Sequence, residues 1–524
     1  MHLNLFSHIL LKTSSKTTFK WKAIISILIV GILFFSTSAA GQSKPNILFI
    51  PVDDLRPELG CYGNKIIQTP NIDKLAKNGI IFNKAYCQQA VCNPSRASLL
   101  TGLRPDSLKV WDLYTDFRST TSNVITLPQY FKSQGYSTIG IGKAFHNIFP
   151  DSISWSEEMH VDGFPFDPDA VYADEPNLSI IQKKKEQLII KGEDRRDQYG
   201  IWYIKANATE NGNVDDDAYY DGAQTTMAIN KLKSLSEQKE PFFLSVGFYK
   251  PHLPFTAPKK YWDLYNEDDM TVANNAYPPI NAPVFAVNGD VELRNYDDQR
   301  DLPKPTEAPL SKKRQQELIH GYYASVSYMD AQIGRLMRAL DSLGLTNNTI
   351  VVLWGDHGWK LGEHNSWAKQ TNYEIDTRVP LIVSGKNVQS KNTKTNALVE
   401  FVDIYPSLCD MAELPIPKGL QGKSFYPLTN NPDLKWKKAA YSQFLMGHFI
   451  KKDIGIDDKM GYAVRTNEFR YVEWYEWHEG RNGKLIAKEL YDEIADPEEN
   501  KNIASDPRQK SLIKEMSQLL STKK

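Results

Sequence analysis

Short apolar runs alternate with longer amphipathic stretches from Pro45 onward. The run Asn46–Val52 is almost continuously apolar, which is typical of a strand buried on both faces of a parallel sheet. Residues 69–79 offer a capping threonine, an early proline and a closing glycine, and this pattern predicts a helix. Because strands and helices alternate in this way, the sequence predicts an α/β fold with helices on both faces of a sheet.

The same alternation continues through three further pairs of elements. Each helical pattern is followed by an apolar run that ends in polar residues. The predicted pairs are helix 127–134 with strand 136–141, helix 217–237 with strand 242–248, and helix 312–343 with strand 349–354. The sequence therefore predicts a large, mixed, mostly parallel sheet sandwiched by helices.

Two internal stretches and the C-terminal part depart from this rhythm. Residues 151–196 and 268–309 are charged and weakly periodic, so we expect long loops or insertions there. Strand-like runs follow at 438–444, 462–465 and 471–477, and a helix is predicted from Pro507. We expect a main domain of residues 41–418 and a smaller α+β subdomain of residues 419–524.

The first forty residues have the pattern of an export signal. Lysines precede an apolar run at 23–35, and small residues at Ser38 and Ala40 suit cleavage after Ala40. The run is short for a membrane span, and a retained N-terminal anchor is the alternative interpretation. We expect residues 1–40 to be a cleaved signal peptide, which leaves a periplasmic or secreted protein without a stable membrane span.

Composition and charge narrow the classes of partner. The chain has 62 Lys and Arg residues against 63 Asp and Glu residues, a formal net charge of −1, so it has no global basic surface for nucleic acid. Its four cysteines are too few for a disulfide scaffold, and their spacing does not fit a zinc knuckle. At least one cysteine therefore needs another explanation.

Polar residues follow two of the predicted strands and suggest a metal site. Asp53 and Asp54 follow the first strand, and Asp356 and His357 follow the strand at 349–354. An isolated Asp-Asp pair is more often a turn or a helix cap. Two such clusters at the carboxyl ends of strands instead favour an oxygen-rich site for a hard divalent cation.

The most specific string of the chain is residues 92–102, Cys-Asn-Pro-Ser-Arg-Ala-Ser-Leu-Leu-Thr-Gly. Cys92 directly precedes a predicted helix that Gly102 would close, and a helix N-terminus favours an anion beside it. From the residues alone, Cys92 is either an activated thiol or a small buried residue.

This string resembles the signature of the type I sulfatase family of the alkaline phosphatase superfamily, a Cys or Ser followed by x-Pro-Ser-Arg and then Thr-Gly. Further runs resemble the same family, among them 53–57, 60–63, 88–92, 142–146, 250–252, 323–328, 356–359 and 362–364. The resemblance implies an alkaline-phosphatase-like fold and a sulfuric ester hydrolase. It also implies that a sulfatase-maturating enzyme converts Cys92 to formylglycine, whose hydrate attacks sulfur and then expels sulfate from a sulfo-enzyme intermediate.

The resemblance implies a role for each candidate residue. The implied ion is Ca²⁺, and its implied ligands are Asp53, Asp54, Cys92, Asp356 and His357. The implied catalytic residues are Cys92 with Arg96, Lys143 and His146 near its diol, and His252 and Lys369 near the leaving oxygen. Lys250 and Trp359 are candidate substrate-binding residues. A lone Lys or His is more often structural or at the surface, but two matched Lys/His pairs weaken that interpretation.

The matched runs are most similar to members of the family that act on sulfated uronic acids. They imply a uronate-containing sulfated oligosaccharide or polysaccharide as substrate, either a glycosaminoglycan or an algal polysaccharide such as ulvan. Two alternatives stay open, namely a phosphate or phosphonate ester hydrolase of the same superfamily and an inert glycan-binding protein. A single set of metal ligands favours sulfate, because two-zinc phosphatases need further Asp and His ligands.

Overall fold

The computed structural model describes residues 44–146, 149–158, 168–196, 202–287, 289–447, 458–478 and 480–522. The predicted signal peptide, residues 1–40, lies outside these ranges. In the described part of the chain, no helix is long and apolar enough to cross a membrane. Residues 45–524 form one unit, and the domain boundary predicted between 418 and 419 stays a prediction.

The strands and helices are defined as follows. The strands are β1 Asn46–Val52, β2 Gly79–Phe82, β3 Ala85–Tyr86, β4 Ser137–Gly142, β5 Thr209–Glu210, β6 Phe242–Gly247, β7 Phe255–Thr256, β8 Thr349–Gly355, β9 Arg378–Val379, β10 Leu381–Gly385, β11 Thr393–Thr395, β12 Val399–Glu400, β13 Ala440–Met446, β14 Lys459–Arg465, β15 Phe469–His478 and β16 Arg481–Asp492. The α-helices are Pro70–Lys77, Cys92–Thr101, Pro105–Leu108, Phe117–Thr120, Leu127–Ser133, Pro168–Val171, Glu175–Ile190, Tyr220–Ser236, Lys259–Trp262, Val291–Arg294, Lys312–Ser342, Glu374–Thr377, Ile404–Met411, Tyr426–Asn430 and Lys510–Ser521.

A seven-stranded sheet lies at the centre, in the order β11-β2-β10-β8-β1-β6-β4. Strands β8, β1, β6 and β4 run parallel to one another. Strand β10 runs antiparallel to both of its neighbours, β8 and β2. The predicted large, mixed, mostly parallel sheet is therefore confirmed, and the carboxyl ends of β1, β4, β6 and β8 meet at one edge.

The side chains of β1 alternate between two hydrophobic cores on opposite faces of the sheet. Leu48 and Ile50 pack with residues of the helices Tyr220–Ser236 and Lys312–Ser342, whereas Ile47 and Phe49 pack with residues of Cys92–Thr101. The side chains of these four residues are fully buried. Burial of each large apolar side chain stabilises the fold by about 1.5–3 kcal/mol, so β1 is anchored on both faces.

Most predicted elements of the main sheet occur within a few residues of their predicted bounds, but the caps of the first helix were predicted wrongly. The Thr69 side chain makes no capping hydrogen bond, and the helix ends before Asn78. Gly79 is instead the first residue of β2. A Cβ at this position would come within 2.2 Å of the Val383 carbonyl oxygen, which explains why the residue is glycine.

Residues 151–196 were expected to be a long loop or an insertion, and the second half of the segment contains a helix that the sequence analysis did not predict. Residues Glu175–Ile190 form a helix whose first turn is capped by the Asp174 side chain. The helix buries little beyond Asn177 and Ile181, which explains the weak periodicity of its sequence. The second segment, 268–309, contains only short helical turns in its described part, as expected.

The C-terminal part contains an antiparallel sheet in the order β13-β14-β15-β16. Met516 and Leu520 of the last helix pack on this sheet and share its core. This arrangement confirms the predicted smaller α+β unit. Strand β16 was not predicted, because residues 481–484 (Arg-Asn-Gly-Lys) are exposed and include no apolar side chain, so the strand begins without an apolar alternation.

Candidate active site

The candidate residues gather where four parallel strands of the main sheet end. Asp53 follows β1, Asp356 follows β8, Lys143 follows β4 and Lys250 follows β6, and all four side chains are buried. Ligands of open α/β sheets bind at this edge. The parallel register thus brings together residues that lie up to about 300 positions apart, such as Asp54 and Asp356, whose backbone amide and carboxylate are hydrogen-bonded at 3.1 Å.

Asp54 and Gly358 mark two tight points in the backbone of the site. Asp54 has a left-handed conformation, with φ of 57°, and its carbonyl accepts a hydrogen bond of 2.9 Å from the Tyr322 hydroxyl. A non-glycine residue with this φ is uncommon and is more frequent at functional sites. A Cβ on Gly358 would come within 1.8 Å of the Ile375 carbonyl oxygen, so only glycine fits directly after His357.

Cys92 is the first residue of the helix Cys92–Thr101, not the residue before it as the sequence predicted. Gly102 ends this helix with a φ of 68°, as expected. The Cys92 sulfur lies 3.6 Å from Asp53 Oδ1 and 3.2 Å from His357 Nε2. The helix thereby holds the sulfur against residues that follow both β1 and β8.

The residues predicted to bind a metal form one compact buried group. Ligand atoms of Asp53, Asp54, Cys92 and His357 all lie within 4.8 Å of one another. Asp54 Oδ2 is buried and makes no hydrogen bond to any described residue. A buried carboxylate oxygen without a donor is costly unless a cation neutralises it, so this donor set fits a hard divalent ion.

Asp356, the fifth predicted ligand, lies beside this group but is not one of its four members. Its Oδ2 accepts a hydrogen bond of 2.8 Å from Arg96 Nε, and its Oδ1 lies 3.5 Å from His357 Nε2. The carboxylate is therefore close enough to take part in metal binding while it also anchors Arg96.

Arg96, Lys143 and Lys369 surround the carboxylates with positive charge. Lys143 Nζ donates a hydrogen bond to Asp53 Oδ2, and Lys369 Nζ donates one of 2.7 Å to Asp54 Oδ1. Both lysine side chains and the Arg96 side chain are at most 3% exposed. The three predicted cations thus contact the same carboxylates that are predicted to hold the ion.

These charges shift the pKa values of the two aspartates in opposite directions. Burial disfavours the charged form of Asp53, but Lys143, His252, Arg96 and Lys369 outweigh it and hold the pKa of Asp53 well below its ordinary value. For Asp54, burial outweighs Lys369 and His252, and the pKa is raised. Without a further cation, Asp54 is the carboxylate whose charge is poorly compensated.

The Cys92 thiol is a poor candidate for a thiolate nucleophile. Burial and the Asp53 carboxylate hold the pKa of Cys92 well above its ordinary value. Reactive cysteines instead have lowered pKa values and some access to solvent, whereas Cys92 is 3% exposed. Of the two interpretations left open by the residues alone, the structure favours a buried, unreactive thiol.

His252 and Lys250 lie on the loop after β6 and face different groups. His252 Nε2 lies 3.9 Å from Asp54 Oδ2, at the rim of the cluster. Lys250 Nζ instead donates hydrogen bonds to the carbonyls of His252 at 3.2 Å and Pro254 at 2.5 Å. Burial lowers the pKa of Lys250 to about 8. The predicted role of Lys250 in substrate binding stays a prediction.

His146 and Trp359 have fewer contacts with the cluster. His146 is half-buried, and its Nδ1 has no hydrogen-bond partner among the described residues. Burial and the Lys143 ammonium hold the pKa of His146 well below its ordinary value, so the ring is neutral. Trp359 is 1% exposed, and Lys369 Nζ lies 5.2 Å from its ring centroid. Roles of both residues toward a substrate stay predictions.

Glu292 is a residue of the site that the sequence did not suggest. Its carboxylate lies 2.8 Å from His252 Nε2 and 3.3 Å from Lys369 Nζ. Glu292 belongs to the segment 268–309, where no strand end or motif marks it. The only signal in the sequence was that Glu292 is an acidic residue in a long predicted insertion.

Comparison with known proteins agrees with this geometry. The Sulfatase family model matches residues 45–414, and the model of the N-sulphoglucosamine sulphohydrolase C-terminal region matches residues 362–524. Iduronate 2-sulfatase of Mus musculus is 32% identical over 556 residues, which cover 94% of this chain and 98% of that protein.

Two solved structures show a similar fold. One is a protein in complex with its substrate D-glucosamine-2-N,6-O-disulfate, with a TM-score of 0.68, 22% identity and coverage of 92% of this chain and 97% of that chain. The other is the phosphonate monoester hydrolase of Agrobacterium radiobacter, with a TM-score of 0.67, 20% identity and coverage of 91% and 95%.

At these identities the two structures bear on the fold alone, which is of the predicted alkaline-phosphatase-like type. The family model and the mouse relative extend over most of the sequence, and they confirm the resemblance carried by residues 92–102. The chain belongs to the sulfatase family and is a sulfuric ester hydrolase.

Proposed function

We propose that this protein removes sulfate from a uronate-containing sulfated oligosaccharide or polysaccharide, with a formylglycine made from Cys92 as its nucleophile and Ca²⁺ as its metal. The observation that carries the proposal is the buried convergence of Cys92 with Asp53, Asp54 and His357. Arg96 lies beside this group and forms an ion pair of 2.8 Å with Asp356. A nucleophile, a cation site and an arginine thus meet at one point.

The conversion of Cys92 is supported by its surroundings. The thiol is buried beside Asp53 and its pKa is raised, so the unmodified residue is not an effective nucleophile. A hydrated formylglycine offers two hydroxyls on one carbon, one to attack sulfur and one to release the sulfate afterwards. The position of Cys92 at a helix N-terminus favours the negative charge that such a hydroxyl develops.

Arg96 and Lys143 act on the side of the nucleophile in this proposal. Arg96 donates to Asp356 and to the backbone carbonyl of Ala144, so its guanidinium is fixed before substrate binds. Lys143 is paired with Asp53, which lies beside the Cys92 sulfur. Preorganised cations of this kind stabilise charge that develops during the reaction without having to reorient.

His252 and Lys369 act on the side of the leaving group. Both lie next to Asp54, whereas Arg96 pairs with Asp356 and Lys143 with Asp53. A sugar alcohol is a poor leaving group unless its oxygen receives a proton, and a histidine is the usual donor. We assign proton donation to His252 and charge neutralisation to Lys369.

The ligand set fits Ca²⁺, held by Asp53, Asp54, Asp356 and His357 with residue 92 beside it. The buried Asp54 Oδ2 without a hydrogen bond is the observation that supports a cation here. When bound, the ion supplies Lewis acidity, which polarises sulfate oxygens and lowers the pKa of a coordinated hydroxyl.

The uronate substrate is supported by the similarity to mouse iduronate 2-sulfatase over nearly the whole length of both chains. The alternative within the superfamily is hydrolysis of phosphate or phosphonate esters, to which the shared fold alone gives no preference. The sulfate and phosphate monoesters of one chromogenic alcohol separate these activities, and we expect faster release of sulfate.

The test of the proposal begins with the tryptic peptide of residues 85–96, from protein produced together with a sulfatase-maturating enzyme. This peptide contains both Cys87 and Cys92, so fragment ions have to locate the change. We expect the mass loss of thiol replaced by aldehyde at Cys92, with Cys87 unchanged. The same preparation should then release sulfate from 2-O-sulfated hexuronate disaccharides.

A Cys87→Ala variant is the matched control, because it keeps Cys92 and simplifies the peptide. An unmodified Cys92, in the presence of a control sulfatase that is converted, would contradict the proposed nucleophile. Saturable binding of the disaccharide without sulfate release, in protein confirmed to carry formylglycine, would favour a glycan-binding protein instead.

A further inference from the structure

Glu292 lies in a segment of irregular structure, but hydrogen bonds anchor the chain on both sides of it. It belongs to the short helix Val291–Arg294, which is fixed at both ends. Before it, Asp290 Oδ1 accepts hydrogen bonds from Ser366 Oγ at 2.6 Å and from Trp367 N at 2.9 Å. After it, Arg294 donates hydrogen bonds to backbone carbonyls at Leu302 and Pro303. The Asp290 contacts tie this helix to the loop that carries Lys369.

The Glu292 carboxylate bridges two residues of the candidate active site. Oε1 lies 2.8 Å from His252 Nε2, and Oε2 lies 3.3 Å from Lys369 Nζ. The side chains are 17%, 7% and 3% exposed, in the order Glu292, His252 and Lys369. In such a water-poor environment, one carboxylate between two cationic groups reduces their mutual repulsion and restricts their positions.

The contacts of His252 show what Glu292 does to the imidazole ring. Nδ1 lies 2.6 Å from the Leu253 carbonyl, which accepts hydrogen bonds only. Nε2 faces the Glu292 carboxylate, which also accepts only when ionised. A ring flip would place carbon atoms against both oxygens. The two acceptors therefore fix the ring plane, with Nε2 directed at Glu292 and 3.9 Å from Asp54 Oδ2 of the cluster.

We propose that Glu292 is a positioning residue for the leaving-group step, which orients His252 and Lys369 for reaction at the ester oxygen. The inference rests on the proposed function, in which these two residues serve the leaving group. As the ionised diol oxygen of residue 92 forms its bond to sulfur, the bond from sulfur to the sugar oxygen breaks and leaves its electron pair on the sugar oxygen. That oxygen takes the proton that His252 Nε2 shares with Glu292, and the Nε2–H bond breaks. Glu292 neither gains nor loses a covalent bond.

A double-mutant cycle tests this inference. Glu292→Gln keeps the shape of the side chain but removes its charge, and we expect kcat for a 2-O-sulfated hexuronate disaccharide to fall about 10-fold to 100-fold. KM should stay within about threefold, because the step and not the binding is affected. In a His252→Ala background the same substitution should lower kcat by a smaller factor than in wild type, since only Lys369 remains for Glu292 to position.

Two further variants keep the test decisive. Glu292→Asp retains the charge and should recover part of the loss, even if Glu292→Gln is too unstable to purify. Glu307→Gln changes an exposed glutamate of the same segment, whose nearest ion-pair distance to Lys304 is 3.9 Å, and should leave kcat unchanged. The increase in melting temperature on addition of Ca²⁺ should be the same for Glu292→Gln, Glu292→Asp and Glu307→Gln. Among the described residues, the ion pairs of Glu292 are with His252 and Lys369 and not with a predicted metal ligand.

Several results would overturn the inference. An equal loss of kcat in the wild-type and His252→Ala backgrounds would make Glu292 a structural residue only. A lower KM with unchanged kcat would mean that its carboxylate competes with the substrate for His252 and Lys369. If wild-type protein that carries formylglycine releases no sulfate from any sulfated uronate, the proposed function fails, whereas active wild-type protein with an unaffected Glu292→Gln variant rejects the positioning role alone.

Discussion

The protein contains two buried clusters of charged residues that differ in the groups that surround their carboxylates. In the catalytic cluster, Asp54 Oδ2 makes no hydrogen bond to a described residue, and the cations include two lysines. The second cluster, which we call the arginine cluster, comprises Glu374, Arg465, Arg470, Glu493 and Glu499 beneath the C-terminal sheet. Each of its carboxylates lies within 3.5 Å of an arginine nitrogen.

We interpret the first cluster as the proposed reactive site and the second as a structural cluster that stabilises the fold. Arginine offers a rigid planar fork that can pair with several carboxylates at once, and Arg470 lies within 3.5 Å of all three carboxylates of the arginine cluster. In the catalytic cluster, Lys143 pairs with Asp53, and Lys369 pairs with both Asp54 and Glu292. Burial, charge and buried oxygens without a hydrogen bond are common to both clusters, since Glu493 Oε1 and Glu499 Oε1 also make none to a described residue. The catalytic cluster is distinguished by the Cys92 sulfur and the His357 imidazole, whose ligand atoms lie within 4.8 Å of those of Asp53 and Asp54.

The largest expected effect is that of Cys92→Ala on turnover. Removal of the nucleophile should lower sulfate release by about 10⁴-fold or more, because no other described group is placed to replace it. The melting temperature should change little, since the cavity is only one sulfur atom. Cys61→Ala, at a half-buried cysteine outside the site, is the control and should keep full turnover. Substantial activity of Cys92→Ala would remove the distinction between the clusters.

The next effect is that of Asp356→Asn, which should reduce both activity and metal binding. We expect turnover to fall about 10²-fold to 10³-fold, because Arg96 loses its charged partner and the ion loses a nearby carboxylate. In a Cys92→Ala background, Ca²⁺ at about 100 times its Kd should stabilise the protein by about 2.7 kcal/mol, and this gain should shrink with Asp356→Asn. Melting curves with and without a chelator measure it, and a chelator-insensitive curve would contradict a calcium site.

For the arginine cluster we expect the opposite result. Arg470→Met leaves Glu374, Glu493 and Glu499 poorly compensated and should lower the free energy of unfolding by about 3–5 kcal/mol. The kcat of the folded fraction at 25 °C should stay within about twofold of wild type. Denaturant titration and turnover measured on the same preparation give both quantities. A large loss of kcat without a loss of stability would show that the two clusters are functionally coupled.

The smallest expected effect is a pH dependence of stability in the arginine cluster. Burial, opposed by Arg470 and reinforced by Glu374, raises the pKa of Glu499 to about 7. Since this value exceeds that of the unfolded chain, the stability contributed by Glu499 is present below about pH 4.5 and is lost as pH rises through 7. Relative to Glu499→Gln, the wild type should therefore lose about 1–3 kcal/mol of unfolding free energy between pH 5 and 8. An equal pH dependence of both proteins would argue against this shift.

The sequence predicted the catalytic cluster far better than the arginine cluster or Glu292. Asp53, Asp54, Asp356 and His357 follow buried strands, and the parallel register alone brings strand ends together. The motif at Cys92 adds a helix N-terminus with a recognisable string. Such features are local in sequence, so they can be recognised without knowledge of the tertiary structure.

Tertiary contacts without a local pattern could not be predicted. Glu292 reaches His252 only because Asp290 ties a short helix to Ser366 and Trp367, more than 70 residues away. The helix Glu175–Ile190 buries too few side chains to produce a strong apolar period. Strand β16 is stabilised by pairing with β15. Its first four residues carry no apolar side chain, so no apolar alternation marks the start of the strand.

The burial of Cys92 has a consequence for when the proposed conversion to formylglycine can take place. All ten residues of the helix Cys92–Thr101 are buried, and Cys92 itself is 3% exposed. An enzyme that oxidises the Cβ atom of Cys92 has to bring its own reactive group to bonding distance, which the packed helix does not allow. In the proposed function, oxidation of Cys92 and folding therefore compete in time, and a chain that folds first keeps its thiol. The rate of folding, which plays no part in the proposed hydrolysis of the ester, would then set the fraction of molecules that carry formylglycine.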